Sequence, residues 1–93
     1  MVLSKMYGLY IKPEVDKIFS KLSKNDMILL EKIYKKIKSI QKNPYHKYKF
    51  LRKPLQNLNR VHIDKSYVLI FRIDHDEEIV ELYYTKKFRQ EFF

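Results

Sequence analysis

The sequence predicts an α+β fold in the order β-α-α-β-β-β. An N-terminal strand is followed by an antiparallel helical hairpin, then by three strands that complete a mainly antiparallel four-stranded sheet, with the hairpin packed on one face. Apolar residues recur at helical spacing over residues 13–40 and at a period of two over residues 60–84. Turn and capping residues fall at the junctions: Ser23, Asn25 and Asp26 together, then Asn43-Pro44, Lys65-Ser66, and residues 74–77. At 93 residues, 45% of them hydrophobic and with 8 Tyr and 6 Phe, the chain has the size and the apolar material of one domain spanning residues 1–93.

Residues 6–11 set Tyr7, Leu9 and Ile11 against Met6, Gly8 and Tyr10, the alternation of a strand. Pro13 suits the first position of a helix, where its missing N–H is no loss. Val15, Ile18, Phe19 and Leu22 then form one buried stripe, with Lys17, Lys21 and Lys24 on a neighbouring row, so the first helix is predicted over residues 13–23. Ser23, Asn25 and Asp26 offer capping oxygens for a second helix. Its apolar side carries Met27, Leu30, Ile33, Tyr34, Ile37 and Ile40, and Asn43-Pro44 ends it. So short a connection makes the two helices antiparallel neighbours.

Residues 45–59 show no period and are predicted as a basic loop anchored by Phe50, Leu51, Leu55 and Leu58. Next comes a strand with Val61 and Ile63 on one side and Arg60, His62 and Asp64 on the other. Residues 67–73 are apolar on both sides except at Arg72, as an interior strand requires. After an acidic turn, residues 78–84 form the last strand, with Val80, Leu82 and Tyr84 expected to share a side. Phe88 and Phe92, four apart, predict a short C-terminal helical turn.

Several function classes are excluded. With no Cys there is no disulfide framework or thiolate ligand, and one Gly leaves no phosphate loop or dinucleotide fingerprint. His46, His62 and His75 have no metal-ligand spacing, so neither a metal nor another cofactor is expected. The longest apolar run, residues 27–30, is far short of the ~20 residues of a bilayer span, and no signal-peptide core precedes the first charges. A cytoplasmic protein with no membrane partner is the expectation.

The charge is +9, from 20 Lys and Arg against 11 Asp and Glu, and it is uneven. Lys47, Lys49, Arg52, Lys53 and Arg60 lie in residues 45–60 without a single acid. Lys86, Lys87 and Arg89 stand against Glu91 in the tail, whereas residues 61–82 are dominated by acids. Lysines dispersed over both helices read as a solvated face. Cations on a strand beside an acid-free loop, interleaved with aromatics, read as a surface for phosphates and unpaired bases.

Cleavage of RNA through its own 2′-hydroxyl fits such a surface. It needs a proton acceptor, cations to stabilise the pentacoordinate phosphorane and a proton donor for the leaving 5′-oxygen. His62 is the candidate for proton transfer, with Arg60, Lys86 and Lys87 stabilising charge. A strand histidine hydrogen-bonded to Asp64 or to a tyrosine fits the same pattern equally well. Lys47, Lys49, Arg52, Lys53, Arg72 and Arg89 are candidates for phosphate contacts, and Tyr67, Tyr83 and Phe92 for stacking.

The chain also resembles the RelE/ParE superfamily of toxins from toxin–antitoxin pairs. The resemblance is carried by the element order, the helical VDKIFSKLSKND, the Asn-Pro after the second helix, the hairpin LRKPLQNLNRVHIDKSYVLIFRID and the basic-aromatic C-terminus. It covers nearly the whole chain, and Arg60-Val61-His62-Ile63-Asp64 with Tyr67-Val68-Leu69-Ile70-Phe71 is similar to the hairpin of the RelE and YafQ branches. It implies a RelE-like fold and a ribosome-dependent mRNA endoribonuclease, an mRNA interferase, held inactive by an acidic RelB-like antitoxin in a hetero-oligomeric complex. Arg60 and His62 fall where those branches keep basic or His residues, Tyr67 at the aromatic opening the third strand, and Lys86, Lys87, Phe88 and Phe92 in the C-terminal catalytic segment. Val68 stands where many members have Arg, Ser66 where the YafQ branch has Asp, and Phe88 where that branch has His. These departures leave two further readings: a binding module with weak or no catalysis, and a ParE-like gyrase poison on the same fold.

Overall fold

The computed structural model describes residues 6–87. Pro13 opens α1 (Pro13–Asn25), where Glu14 and Asp16 in the first turn complement the helix dipole. One residue, Asp26, separates it from α2 (Met27–Lys42). Asp26 donates its amide to the Leu22 carbonyl (2.8 Å) and accepts the Leu29 amide on its carboxylate (3.1 Å). It thus ends one helix and caps the next, a contact worth about 1 kcal/mol. Ser23, also expected to cap, instead donates back to the Ser20 carbonyl at 2.6 Å, and α1 runs two residues past its predicted end.

The sheet has five strands where four were expected. They are β1 (Gly8–Ile11), β2 (Lys49–Phe50), β3 (Asn59–Ile63), β4 (Tyr67–Asp74) and β5 (Ile79–Lys87), in the spatial order β1-β5-β4-β3-β2. The extra strand is β2, which pairs Lys49 with Arg60 and Phe50 with Asn59 inside the segment predicted to be irregular. Two residues are too few for any period to show. β1 runs parallel to β5, its neighbour in the sheet but separated from it in sequence by the helical hairpin and three strands, and the other pairs are antiparallel.

Val15 and Phe19 of α1 and Leu30, Ile33, Ile37 and Ile40 of α2 are buried against Ile63, Leu69, Phe71, Val80 and Leu82 of the sheet. The strand register therefore assigns the two faces. Ile63, Leu69 and Phe71 look toward the helices, while Arg60, His62, Val68 and Ile70 look away from them.

A bulge changes that assignment on β5. Ile70 pairs with Tyr84 but Phe71 pairs with Leu82, so Tyr83 is the extra residue. Tyr84 was expected beside Val80 and Leu82. The bulge turns it to the outer face, and Thr85 takes the buried position instead, its hydroxyl donating to the Val68 carbonyl at 3.0 Å.

Tyr7, just before β1, is buried and tied to α2: Gln41 donates its side-chain amide to the Tyr7 carbonyl (2.7 Å) and the Tyr7 amide donates to the Gln41 carbonyl (3.0 Å). The Tyr7 hydroxyl donates to that of Tyr45 at 3.0 Å and lies 2.9 Å from His75 Nδ1. The bond to Tyr45, then burial, push the Tyr7 phenol up to about 12. The unfolded chain releases this proton near 10.0 and the native protein keeps it, so the stabilisation is complete below pH 10 and is lost as the pH rises toward 12. Tyr7→Phe is expected to flatten the decline of thermal stability across that window, which melts in a series of alkaline buffers would measure.

Candidate nucleic-acid interface

The outer face of the sheet carries a groove of about 450 Å³. Val68 and Ile70 of β4 form its floor, Leu51, Leu55 and Leu58 of the loop after β2 form one wall, and Arg60 of β3 and Lys86 of β5 flank it with charge. The register explains the convergence. Arg60, Ile70 and Tyr84 make one row across three strands, and His62, Val68 and Lys86 make the next. Among the described residues no carboxylate pairs with Arg60 or Lys86.

Because of the bulge, Tyr83 and Tyr84 both line the groove, which strict alternation along a strand would forbid. The ammonium of Lys12 sits 3.9 Å from the centre of the Tyr83 ring, a cation–π contact that adds a further positive charge near this wall. The floor is apolar and the flanks are cationic, an arrangement that accepts a flat base and its phosphate together.

The other predicted residues are dispersed. His62 shares the outer face but borders a separate depression of about 340 Å³ with Lys32, Lys35 and Lys36 of α2. There Lys32 pairs with Asp64 at 3.1 Å and holds its carboxyl below the usual value. Lys87 and Tyr67 pair with each other on the face that carries the helices, opposite to Arg60 and Lys86. Tyr67 is half-buried against the core, and burial pushes its phenol up. Adjacent lysines on a strand necessarily face opposite ways, so Lys86 and Lys87 do not act in one groove.

Arg72 is already engaged. Its guanidinium lies 2.7 Å from Glu81 and 3.6 Å from Asp74, and the bond to Glu81 raises its pKa. The Asp74 carboxyl also accepts the Glu77 and Asp76 amides and is held low. If the groove takes a single-stranded polyanion, Arg72→Gln is expected to leave the salt dependence of that binding unchanged, whereas Arg60→Gln lowers the slope of log K against log salt by about 0.7. Titrations at several salt concentrations read this directly.

Arg52 borders a depression with Arg60, Lys47 another with Phe50, and Lys49 lies opposite Arg60 on β2. Lys53 is exposed in the loop. Arg89, Phe92 and the predicted C-terminal turn lie outside the described residues. Sequence reasoning did not single out Tyr84 as lining this groove. Val80, Leu82 and Tyr84 alternate regularly in the sequence, and the spacing of two and then three among buried Val80, Leu82 and Thr85, the mark of an inserted residue, shows only in the fold. Among the described residues no three His, Asp or Glu side chains are grouped to hold a metal ion, and no helix is long and apolar enough to cross a membrane.

No family model matches the chain. It is 51% identical over 75 residues to the candidate toxin RelE4 of Methanocaldococcus jannaschii, covering 81% of this chain and 79% of that protein. In structure it is similar to the toxin–antitoxin complex RelBE2 of Mycobacterium tuberculosis, with a TM-score of 0.76 at 18% identity, covering 96% of this chain and 98% of that one. The E. coli toxin RelE, solved as a doubly substituted form in the free state, gives a TM-score of 0.72 at 18% identity, covering 88% of this chain and 83% of that one.

Proposed function

We propose that this chain, which belongs to the RelE family of toxins, is the toxin of a type II toxin–antitoxin pair and cuts mRNA on the ribosome through the 2′-hydroxyl. One observation carries the reading: the outer-face groove places Arg60 and Lys86 on either side of an aromatic and apolar floor with no carboxylate in its lining. A scissile phosphate between the two cations gains stabilisation as charge builds on the phosphorane, and a neighbouring base stacks on Tyr83 or Tyr84.

In the reaction the 2′-oxygen bonds to phosphorus as its proton passes to a base, and the P–O5′ bond breaks as the 5′-oxygen takes a proton from water. The products end in a 2′,3′-cyclic phosphate and a 5′-hydroxyl. His62 lies outside the groove lining but is paired with Val68 of its floor on the same face, and it is the proposed proton acceptor. An acidic antitoxin covering the same cations would inhibit by competition.

Val68 favours a second reading. It is only 4% exposed in the groove floor, at the position where the resemblance to RelE-like toxins implies Arg, and so supplies apolar contact without charge. A chain of this kind could bind RNA and antitoxin without cutting. Induced expression separates the readings: growth arrest with cleaved mRNA, relieved by an acidic partner from the neighbouring reading frame, supports the nuclease. Partner and RNA binding without arrest supports the binding module. DNA damage with intact mRNA would point to gyrase and overturn both.

A further inference from the structure

Three depressions succeed one another around the edge strand β2, each sharing lining residues with the next, the first on the outer face and the last past the sheet edge on the side of Asn59 and Ile73. The groove over β3, β4 and β5 shares Leu51, Leu55 and Arg60 with a second cavity of about 520 Å³. Phe50 lines both that cavity and a third, of about 500 Å³, bounded by Lys47 and Tyr48. No carboxylate lines any of the three. Cations recur along the way, Lys86, Arg60, Arg52 and then Lys47, with Tyr84, Phe50 and Tyr48 between them. His75 lines the third cavity, and the residues that follow it in the chain, 76–78, are acidic.

Phe50 is the most informative residue on this path. It is 62% exposed on a two-residue strand, at the junction of two cavities. Such a ring adds little to the core, but it offers one face to a ligand. Alternating cations and aromatic faces in a shallow track are how proteins hold single-stranded nucleic acid without reading its sequence.

We propose that the path from the groove past Phe50 to Lys47 binds the continuation of a single-stranded RNA, with a base stacked on Phe50 and phosphates held by Arg52 and Lys47. The inference rests on the RNA reading of the groove and extends it: the substrate is recognised over several nucleotides to one side of the scissile phosphate, and a short fragment fills only part of the site.

The test uses fluorescence anisotropy with two single-stranded RNAs, a trinucleotide and a dodecanucleotide, both 2′-O-methylated to block cleavage. The unaltered protein should bind the longer RNA more tightly. Phe50→Ala should weaken dodecanucleotide binding by about 5- to 150-fold, the range of one lost stacking contact, and leave trinucleotide binding within about twofold, while Phe50→Trp restores it. Lys47→Gln with Arg52→Gln should lower the salt slope for the longer RNA by about 1.4, and Lys86→Ala should weaken both RNAs. Unchanged melting temperatures would show that the variants remain folded. Equal affinity for both lengths, or dodecanucleotide binding untouched by Phe50→Ala, overturns the path and leaves the groove reading standing. Binding of neither RNA, or binding indifferent to Lys86→Ala, overturns the groove reading and the path with it.

Discussion

Arg60→Ala combined with Lys86→Ala is expected to lower mRNA cleavage by about a thousandfold or more and to abolish growth arrest on induction. Removing a single group that stabilises developing charge in a water-poor site costs about 10²- to 10³-fold in rate. These two side chains flank the proposed phosphate position from opposite strands, and no carboxylate among the described residues shares their charge. Lys86 is exposed and Arg60 only partly buried, so the fold should survive both changes. Lys87→Ala is the internal comparison. Lys87 lies on the opposite face, paired with Tyr67, and its loss is expected to leave cleavage close to that of the unaltered protein. Activity measured with purified variants at matched concentration separates the two cases.

The second large effect is on stability. Phe71→Ala should cost about 3–5 kcal/mol, because a fully buried ring is exchanged for a cavity at the centre of the core. A domain of this size has about 5–15 kcal/mol in all, so the variant should melt some tens of degrees lower or fail to accumulate as folded protein. Phe71 also meets Tyr48 nearly at right angles, with ring centroids 5.3 Å apart. Tyr48 in turn donates its hydroxyl to the Asn43 carbonyl at 2.9 Å, so the approach to β2 depends on the same contact. Tyr84→Ala, which removes an equally large ring from the exposed groove, should by contrast shift the melting temperature only slightly. Calorimetry on the two variants measures the difference.

Much of the fold was legible because its elements are long and strongly periodic. Val15, Phe19, Leu30, Ile33, Ile37 and Ile40 repeat at helical spacing, and these residues are buried. β2 was not legible, since two residues have no period and their pairing with Asn59 and Arg60 is a tertiary fact. The bulge at Tyr83 reversed the expected face of Tyr84. Alternation was the right rule, but it restarts after an inserted residue.

The candidate site was legible in its charge and not in its geometry. An acid-free segment ending in Arg60, with Lys86 further on, marked two cations that the fold places beside one groove. Their separation from Lys87, Tyr67 and Arg72 follows from strand facing and from ion pairs formed only in the folded chain. The lysines of α2, expected to form a simple solvated face, come together with His62 where the helix passes the end of β3. Helical periodicity describes which residues share a face, not what that face meets.

The most direct test of the account is to add the purified protein to ribosomes programmed with a defined mRNA, map the cuts by primer extension and determine the chemistry of the new ends. Discrete cuts bearing 2′,3′-cyclic phosphate and 5′-hydroxyl ends, abolished by Arg60→Ala with Lys86→Ala, are the expected result. Intact mRNA with the unaltered protein, or cuts equally frequent with the double variant, would contradict it.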